Sequence, residues 1–407
     1  MQTALAEFIR GTDTGREADR ILRACVHCGF CNATCPTYQV LGDELDGPRG
    51  RIYLMKQVLE GHAPTAKTQL HLDRCLTCRN CEVTCPSGVQ YGRLLDIGRE
   101  LVERQVERNW FDRLRRRLLR AVIAHPGRFT PLVRLGRLVR PFVPGALRRA
   151  IPAPRPARAW PVPAHARRML VLEGCAQPGI APNINAAAAR VLDRLGISLT
   201  AAEEAGCCGA LSHHTSAMEE GLEFARRNID AWWPHVEAGV EAIVMTASGC
   251  GVHVKEYGRL LADDPAYATK AARVAALTRD LSEVLAGEPV VAALRLSAHQ
   301  GKIAFHAPCS LQHGQRLSGV VENLLRRLGF VLTAVPDAHL CCGSAGTYSI
   351  LHPAIARELR DNKVRSLESG APTLIATANV GCLAHIQGGT GVPVRHWIEL
   401  VDEALSP

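Results

Sequence analysis

Sixteen cysteines give this 407-residue sequence most of its capacity for chemistry. Eight of them form two quartets near the N-terminus, and each quartet reads C-x2-C-x2-C-x3-C-P. Thiolates at this spacing bind [4Fe–4S] clusters, and two copies in one chain are typical of the bacterial two-cluster ferredoxins. The quartets are Cys25, Cys28, Cys31 and Cys35, and, 50 residues further along, Cys75, Cys78, Cys81 and Cys85.

The fourth cysteine of each quartet is predicted to serve the other cluster. Three closely spaced thiolates on a tight loop can reach three irons of one cube, whereas the fourth lies on a segment that leads away. Structural zinc is the alternative, but it usually takes two C-x2-C pairs separated by a longer spacer, and this pattern fits that poorly. We therefore predict one [4Fe–4S] cluster on Cys25, Cys28, Cys31 and Cys85, and a second on Cys75, Cys78, Cys81 and Cys35.

The segment between the quartets predicts a helix over Pro48 to Leu59, because Ile52, Met55 and Val58 fall on one face. This spacer is longer than that of a minimal ferredoxin. It resembles the helical two-cluster module found in quinone-linked respiratory subunits.

The other eight cysteines belong to an internal repeat. Their offsets between the two copies are 134, 134, 134 and 132 residues, and both copies contain Cys-Cys-Gly. A repeat of this length predicts two similar domains rather than a solenoid. The matching sets are Cys175, Cys207, Cys208 and Cys250, and Cys309, Cys341, Cys342 and Cys382.

Strands alternate with helices in each repeat, which predicts a parallel sheet covered by helices. The cysteines follow strands, so they can converge at the carboxyl edge, where such sheets bind ligands. Gly209 and Gly343 would let the backbone approach a bound group closely. We predict an additional metal or cluster site in each repeat; a vicinal disulfide or simply buried thiols are the alternatives.

Charge is concentrated in one segment. Residues 104–168 contain 17 arginines and two acids, a net charge of +15 within a chain of net charge +9. Prolines make the second half a linker, and the first half predicts short amphipathic helices, with Phe111, Leu114 and Leu118 on one face. Such helices suit either an anionic membrane surface or a partner subunit. No aromatic interleaving or motif supports nucleic acid as a partner.

The composition is that of a globular protein, with 47% hydrophobic and 21% charged residues. No stretch is long and apolar enough to span a membrane, and no signal peptide is visible, so we expect a cytoplasmic protein, peripheral on the inner membrane. Many thiols in a reducing compartment indicate metal binding. Without a G-x-G-x-x-G motif or a P-loop, we assign no catalytic residue to this chain.

The repeats resemble the cysteine-rich CCG domains of heterodisulfide reductase and of several flavin-linked dehydrogenases. The motif of that family ends in C-x2-C, whereas here the ends read Cys250-Gly-Val-His253 and Cys382-Leu-Ala-His385. The five-thiolate, non-cubane cluster of the reductase therefore does not carry over directly. His253 and His385 are candidate fifth ligands, or else helix-facing or surface histidines.

The whole chain resembles the iron–sulfur subunits of the glycolate oxidase (glycolate dehydrogenase) family. The resemblance implies a helical two-cluster ferredoxin domain followed by two repeated α/β CCG domains. Their predicted limits are 1–103 for the ferredoxin domain, 104–168 for the basic linker, and 169–295 and 300–407 for the CCG domains. The family resemblance rests on the order of the motifs and on five local segments. These are Cys25-Val-His-Cys-Gly-Phe-Cys, Leu41-Gly-Asp-Glu-Leu-Asp-Gly-Pro-Arg-Gly-Arg, Asp73-Arg-Cys-Leu-Thr-Cys-Arg-Asn-Cys, Leu172-Glu-Gly-Cys-Ala-Gln-Pro and Leu340-Cys-Cys-Gly-Ser-Ala-Gly-Thr-Tyr.

The resemblance implies an electron-transfer subunit. Two flavoprotein-type subunits would oxidise glycolate to glyoxylate, and this chain would pass the electrons towards membrane quinone. The alternatives are the iron–sulfur subunit of a D-lactate or an anaerobic glycerol-3-phosphate dehydrogenase, and a heterodisulfide-reductase-like enzyme with thiol chemistry at the CCG site. A further alternative is a non-catalytic scaffold whose CCG sites hold structural zinc.

Overall fold

The computed structural model describes residues 1–144, 151–294, 297 and 301–405. The chain divides into two compact units, Met1–Arg116 with His339–Lys363, and Arg117–Ala338 with Val364–Pro407. The predicted domain limits at 295, 300 and 407, and the linker residues 145–150, lie outside the described residues. The four sequence-predicted segments stay a prediction.

The first unit is built from helices around one core. Helix α4 has the predicted bounds, and its Met55 packs against α7 so closely that a Cβ on Gly98 would lie 2.5 Å from the Met55 Cγ. Thr12 caps α1 by accepting a hydrogen bond from Gly15 N at 3.0 Å. The helices up to this point are α1 (Asp13–Ala24), α2 (Phe30–Ala33), α3 (Pro36–Leu41), α4 (Pro48–Leu59), α5 (Ala66–Asp73), α6 (Asn80–Thr84) and α7 (Tyr91–Gln105).

A distant segment completes the first unit. Asn80 Nδ2 donates to Thr34 O at 3.1 Å and to His339 O at 3.2 Å. Tyr348 Oη donates to Arg74 O at 3.0 Å. These bonds fix residues 339–363 beside both cysteine loops of the same unit, because Thr34 precedes Cys35 and Arg74 precedes Cys75.

The arginine-rich segment contains the predicted amphipathic helices, α8 (Trp110–Ile123) and α9 (Pro126–Val139), and residues 151–165 are irregular. The apolar side chains on α8 that define its predicted face, Phe111, Leu114 and Leu118, are exposed. Arg116 is buried instead, and its guanidinium donates to Asp73 Oδ2 at 3.0 Å.

Each repeat contains a parallel sheet, as predicted, and each sheet has four strands. The orders are β2-β1-β3-β4 and β6-β5-β7-β8, so the two copies share one topology. The last strand of each sheet is short, carries Arg279 or Arg395, and was not predicted. The strands are β1 (Arg167–Val171), β2 (Ile197–Ala201), β3 (Ile243–Met245), β4 (Thr278–Asp280), β5 (Lys302–His306), β6 (Val331–Leu332), β7 (Leu374–Thr377) and β8 (Val394–His396).

Helices cover both sheets of the second unit. Trp232 and Tyr257 are buried in the hydrophobic core of the first repeat. None of the described helices is long and apolar enough to cross a membrane. These helices are α10 (Gln177–Ile180), α11 (Asn183–Asp193), α12 (Ala210–His214), α13 (Met218–Glu237), α14 (Ser248–Lys255), α15 (Tyr257–Leu260), α16 (Ala268–Leu277), α17 (Leu281–Gly287), α18 (Val290–Ala293), α19 (Val320–Arg327), α20 (Tyr348–Leu351), α21 (Pro353–Glu368), α22 (Val380–Gln387) and α23 (Trp397–Ala404), of which α20 belongs to the first unit and α21 begins in it.

Buried polar contacts join the two repeats. Arg190 forms a bidentate pair with Asp402, at 2.7 and 2.6 Å. His396 Nε2 lies 3.0 Å from Thr246 O, and burial lowers the pKa of this histidine to about 4. A neutral His396 can therefore keep its hydrogen bond to the other repeat at neutral pH.

Candidate metal centres

The two ferredoxin-type loops have the same unusual backbone. The second residue after the first cysteine is left-handed in both, with φ of 62° at His27 and 54° at Thr77. The fourth residue is left-handed too, with φ of 87° at Gly29 and 59° at Arg79. Residues other than glycine rarely adopt this backbone conformation. In such a loop, successive backbone N–H groups turn towards one point. Thr77 N accordingly donates to Cys75 Sγ at 3.5 Å.

The first loop encloses a cavity of about 440 Å³ that is open on one side. Five cysteines line it: Cys25, Cys28 and Cys31 of the first quartet, and Cys85 and Cys81 of the second. The walls are mainly apolar, and Cys28 is exposed. The other apolar side chains include Val26, Phe30, Ile52 and Val89.

The second loop encloses a smaller cavity, of about 300 Å³. Its cysteines are Cys75, Cys78 and Cys81, together with Cys35 from the first quartet. Each cavity thus contains the set of four thiols that the spacing argument groups together. Tyr91 and Cys81 line both cavities, so the two adjoin there.

The thiols in these cavities fit an iron–sulfur group. Burial raises the pKa of Cys25 and of Cys81, and raises that of Cys31 to about 11, and the neighbouring thiols of the same set add to each shift. Several thiolates cannot share so small a space without a compensating positive charge. A cationic iron–sulfur core supplies that charge, so the donor sets suit [4Fe–4S] clusters.

Polar side chains surround the second cavity. Tyr91 Oη donates to Cys75 Sγ at 3.6 Å, and Thr37 Oγ1 lies 3.3 Å from Cys35 Sγ. The guanidinium of Arg51, which is fully buried, donates from Nη1 to Thr37 Oγ1 at 3.1 Å and from Nε to His71 O at 2.7 Å.

Arg51 shares one buried carboxylate with a second arginine. Arg51 Nη2 lies 3.5 Å from Asp46 Oδ1, and Arg74 Nη1 lies 2.8 Å from Asp46 Oδ2. Burial opposes the positive charge of Arg51, but the surrounding acidic groups, Tyr91, Cys75, Cys35 and Asp46, raise its pKa overall. Two guanidinium groups and one carboxylate leave a net positive charge beside the second cavity.

Beside the first cavity, one arginine pairs with one carboxylate, and this ion pair is more exposed to solvent than that of Arg51. Arg49 lines the wall of this cavity, and its Nε lies 2.6 Å from Glu44 Oε1. Both side chains are more than a third exposed, 35% for Arg49 and 41% for Glu44. The sequence reasoning missed Arg51, Thr37 and Tyr91. A signal existed for Arg51, because it lies on the same face of α4 as Met55 and Val58.

The first CCG set converges as predicted. The Cys207 sulfur accepts hydrogen bonds from Cys175 and Cys208, which lowers the pKa of Cys207 well below its usual value. Gly209 N also donates to Cys207 Sγ, at 3.5 Å, and Cys208 is hydrogen bonded in turn to Cys250. Four cysteine sulfurs held together at the carboxyl edge of a parallel sheet suit a soft metal or a cluster.

Histidines lie next to this set. His253 is buried, and its ring centroid lies 5.3 Å from that of His213 and 6.3 Å from that of His214. His213 and His214, on the helix that follows Cys-Cys-Gly, were not predicted. These two histidines belong to no cysteine motif, so the sequence gave no signal for them. The ligand role of His253 stays a prediction.

The second CCG set is divided between the two compact units. Cys341 and Cys342 belong to the segment 339–363 of the first unit, whereas Cys309 and Cys382 belong to the second. Cys382 is buried on α22, and His385 is half-buried on the same helix. That these four thiols form one site stays a prediction.

The two repeats meet near their cysteines within the second unit. Ser248 Oγ, two residues before Cys250, lies 2.7 Å from Ser310 Oγ, which directly follows Cys309. Gln315 Nε2 also donates to Ser248 O at 3.2 Å. The segments that contain Cys250 and Cys309 are therefore in direct contact.

Family models match both parts of the chain. Residues 21–89 match the 4Fe-4S dicluster domain, and residues 169–255 and 303–387 match the cysteine-rich CCG domain. These matches support iron–sulfur clusters in this chain. They also confirm the predicted fold class, a helical ferredoxin-type region followed by two CCG repeats.

One relative covers the whole chain. The glycolate oxidase iron-sulfur subunit of Escherichia coli (strain K12) is 60% identical over 409 residues, which cover 100% of this chain and 99% of the relative. The chain belongs to the glycolate oxidase iron–sulfur subunit family. The Bacillus subtilis (strain 168) protein named probable glycolate oxidase iron-sulfur subunit is 30% identical over 421 residues, covering 94% of this chain and 91% of that protein.

A shorter relative bears a different name. Lactate utilization protein A of Bacillus licheniformis is 31% identical over 233 residues, which cover 54% of this chain and 92% of that protein. The members of the glycolate oxidase iron–sulfur subunit family are components of an oxidoreductase, so the membership of this chain implies further subunits in a complex.

Proposed function

We propose that this chain is the electron-transfer subunit of a flavin-linked glycolate dehydrogenase that delivers electrons towards membrane quinone. Two flavoprotein-type subunits of the same complex would oxidise glycolate to glyoxylate. The observation that carries the proposal is the pair of adjoining cavities, each lined by three cysteines of one loop and the fourth of the other.

The eight ferredoxin-type cysteines are assigned to two clusters. Cys25, Cys28, Cys31 and Cys85 would hold one [4Fe–4S] cluster, and Cys75, Cys78, Cys81 and Cys35 the other. Each cluster, when bound, takes up and gives back single electrons. The chain supplies the thiolates, the left-handed loops that turn N–H groups towards the sulfurs, and a short distance between the cavities at Cys81 and Tyr91.

Iron analysis of anaerobically purified protein tests this proposal. We expect about eight iron atoms and as many acid-labile sulfides in the ferredoxin-type domain, and an EPR spectrum of two interacting clusters after reduction. Cys28→Ser and Cys78→Ser should each remove about half of that iron and stop dye-coupled turnover of the assembled complex. Full iron, colour and turnover in both variants would contradict the proposal.

The lactate utilization relative supports a second substrate candidate. Glycolate and D-lactate are both 2-hydroxy acids, and the substrate would bind in a partner subunit. Assaying the complex recovered with this chain against glycolate, D-lactate and glycerol 3-phosphate distinguishes the candidates. We expect glycolate to give the highest kcat/KM, and preference for another substrate would contradict the glycolate assignment.

The CCG cysteines are proposed to hold a further metal or cluster. The low pKa of Cys207 and its three neighbouring thiols support this for the first repeat, with His253 as the candidate additional ligand. More than eight irons per chain would favour further clusters, whereas about eight irons with up to two zinc ions would favour structural zinc.

Attachment to an anionic membrane surface is proposed for α9 and the turn that follows it. Leu132, Leu135, Leu138 and Phe142 are exposed there, by 52% to 87%, and Arg128 and Arg134 are exposed on the same helix. Exposed leucines beside arginines suit the boundary between anionic headgroups and acyl chains. The alternative is that a partner subunit covers these exposed side chains of α9.

Flotation with phosphatidylserine and with phosphatidylcholine vesicles tests the attachment. We expect binding to the anionic vesicles only, and its loss in Arg128→Glu/Arg134→Glu and in Leu135→Ser/Leu138→Ser. Arg279→Glu, an exposed site on β4, is the matched charge control. Arg116 is unsuitable because it is buried against Asp73. Equal flotation of all four proteins would contradict the proposal.

A further inference from the structure

The two cavities place different charges next to chemically identical thiol sets. Beside the second cavity, Arg51 is fully buried, and with Arg74 it shares the single carboxylate of Asp46. Beside the first, Arg49 is paired one-to-one with Glu44, and both side chains are partly exposed. The amine of Met1 also lies beside the first set and donates to Cys25 O at 2.6 Å, but it is only partly buried. A fully buried charge is screened far less than a partly exposed one, so we expect Arg51 to act more strongly on the second cavity.

Hydrogen bonds to sulfur differ in the same direction. Tyr91 lines both cavities, but its hydroxyl is directed to Cys75 Sγ at 3.6 Å, on the side of the second. Thr37 Oγ1 also lies 3.3 Å from Cys35 Sγ, but its hydroxyl donates to Asp46 O at 2.8 Å, so the side-chain hydrogen bond to sulfur on this side is that of Tyr91. Hydrogen bonds to sulfur favour the more negative, reduced state of a cluster and raise its reduction potential.

Water works against this difference, but only weakly. Cys28 is the one exposed cysteine among the four of the first set, Cys31 and Cys85 are half-buried, and water near them also favours the reduced state. The rest of the first cavity is lined largely by apolar side chains such as Val26, Phe30 and Ile52. We therefore expect the buried guanidinium of Arg51 and the hydroxyl of Tyr91 to act more strongly on the second set than water does on the first.

We propose that Arg51 and Tyr91 set the cluster held by Cys75, Cys78, Cys81 and Cys35 at a more positive reduction potential than its neighbour. Arg51 acts through its charge, and Tyr91 acts through its hydrogen bond to Cys75. The second cluster is then the one that holds the electron when the pair is reduced by one electron. This inference rests on the proposed function, since it requires both clusters.

An EPR-monitored redox titration of the full chain tests the assignment. Tyr91→Phe keeps the ring and removes only the hydroxyl, and we expect it to lower the more positive midpoint while the lower one stays in place. The expected change in the reduced-to-oxidised ratio at a fixed potential is roughly three- to tenfold. Arg51→Gln should exceed tenfold, which is about 59 mV for a one-electron couple.

Two matched variants serve as controls. Tyr53→Phe alters an exposed tyrosine near the first loop, with its ring centroid 6.4 Å from that of His27, and should move neither midpoint. Arg49→Gln should leave the more positive midpoint unchanged. If Arg51→Gln does not fold, Tyr91→Phe retains the test.

The outcomes separate the two levels of the proposal. Protein without clusters would contradict the proposed function itself. Protein with both clusters in which Tyr91→Phe shifts only the lower midpoint, or neither, would overturn the present inference and leave the proposed function intact. A shift of the more positive midpoint by Arg49→Gln equal to that by Arg51→Gln would overturn it as well.

Discussion

The two cysteine loops of the first unit share a backbone but differ in what surrounds them. Both have left-handed residues at the same two positions, and both face a cavity with four thiols. The first opens to solvent at Cys28 between apolar walls, whereas Arg51 lines the second cavity and Tyr91 donates to one of its cysteines. Local sequence thus determines which ligands can meet, and residues from other helices determine the electrostatic environment of those ligands.

The ion pairs of the two loops show the same contrast. Asp46 is almost completely buried and serves Arg51, Arg74 and His71, the last with Nδ1 at 3.0 Å from Oδ1. Glu44 is partly exposed and serves Arg49 and Asn32. The second loop therefore depends on its carboxylate for stability far more than the first does.

Exchange of the fourth ligand gives the largest expected effect. Cys35→Ser should remove the cluster of the second loop and Cys85→Ser that of the first, so each variant should retain about four of about eight irons. The surviving midpoint in Cys85→Ser should be the more positive of the two wild-type values. Iron analysis and EPR titration of both variants measure this. Loss of the cluster of its own quartet in either variant would contradict the exchange.

Asp46→Asn is expected to destabilise the protein strongly. Two arginines would lose their shared carboxylate, one of them fully buried, and breaking such a pair typically costs about 3–5 kcal/mol. The matched variant Glu44→Gln breaks a partly exposed pair and should cost no more than about 1 kcal/mol. Urea unfolding of the cluster-loaded proteins compares the two. Equal losses would show that the two ion pairs are equivalent.

Gly29→Ala should produce an intermediate effect. Its φ of 87° disfavours a side chain, and an added Cβ would lie 2.5 Å from Arg49 Nη1. We expect a loss of about 1–2 kcal/mol from the left-handed conformation, and displacement of Arg49. The equivalent position of the second loop already holds Arg79. Thermal unfolding measures the change, and unchanged stability would show that the first loop adopts another conformation.

Thr77→Gly should produce the smallest effect. A β-branched residue at φ 54° is strained by about 1–2 kcal/mol, and glycine recovers this strain but adds about 0.5–1 kcal/mol of chain entropy. We therefore expect a net stabilisation of about 0.5 kcal/mol. The same measurement on His27→Gly provides the matched comparison. A clear loss of stability in Thr77→Gly would indicate that the threonine side chain has a role of its own in the second loop.

Much of the site could be predicted because covalent spacing restricts it. The sets of four thiols follow from loops too short to reach further, and α4 follows from the periodicity of Ile52, Met55 and Val58. The duplicated parallel sheets likewise follow from alternating strands and helices. The short strands β4 and β8 escaped prediction because three residues with a central arginine give no hydrophobic pattern.

The environment of the thiols could not be predicted, because it depends on contacts distant in sequence. Tyr91 and Cys75 are 16 residues apart, and Arg51 reaches His71 over 20. Tyr348 meets Arg74 across 274 residues. No local pattern specifies such pairs, and buried charges such as Arg51 contradict the general rule that arginine is exposed.

The amide of Asn80 has a consequence for the biogenesis of the chain. It bonds to a carbonyl that is translated 259 positions later, so the ferredoxin-type region is synthesised well before its partner His339. Domains generally fold in order as they emerge. Nascent chains therefore pass through a stage in which the second loop still lacks its hydrogen bonds to residues 339–363.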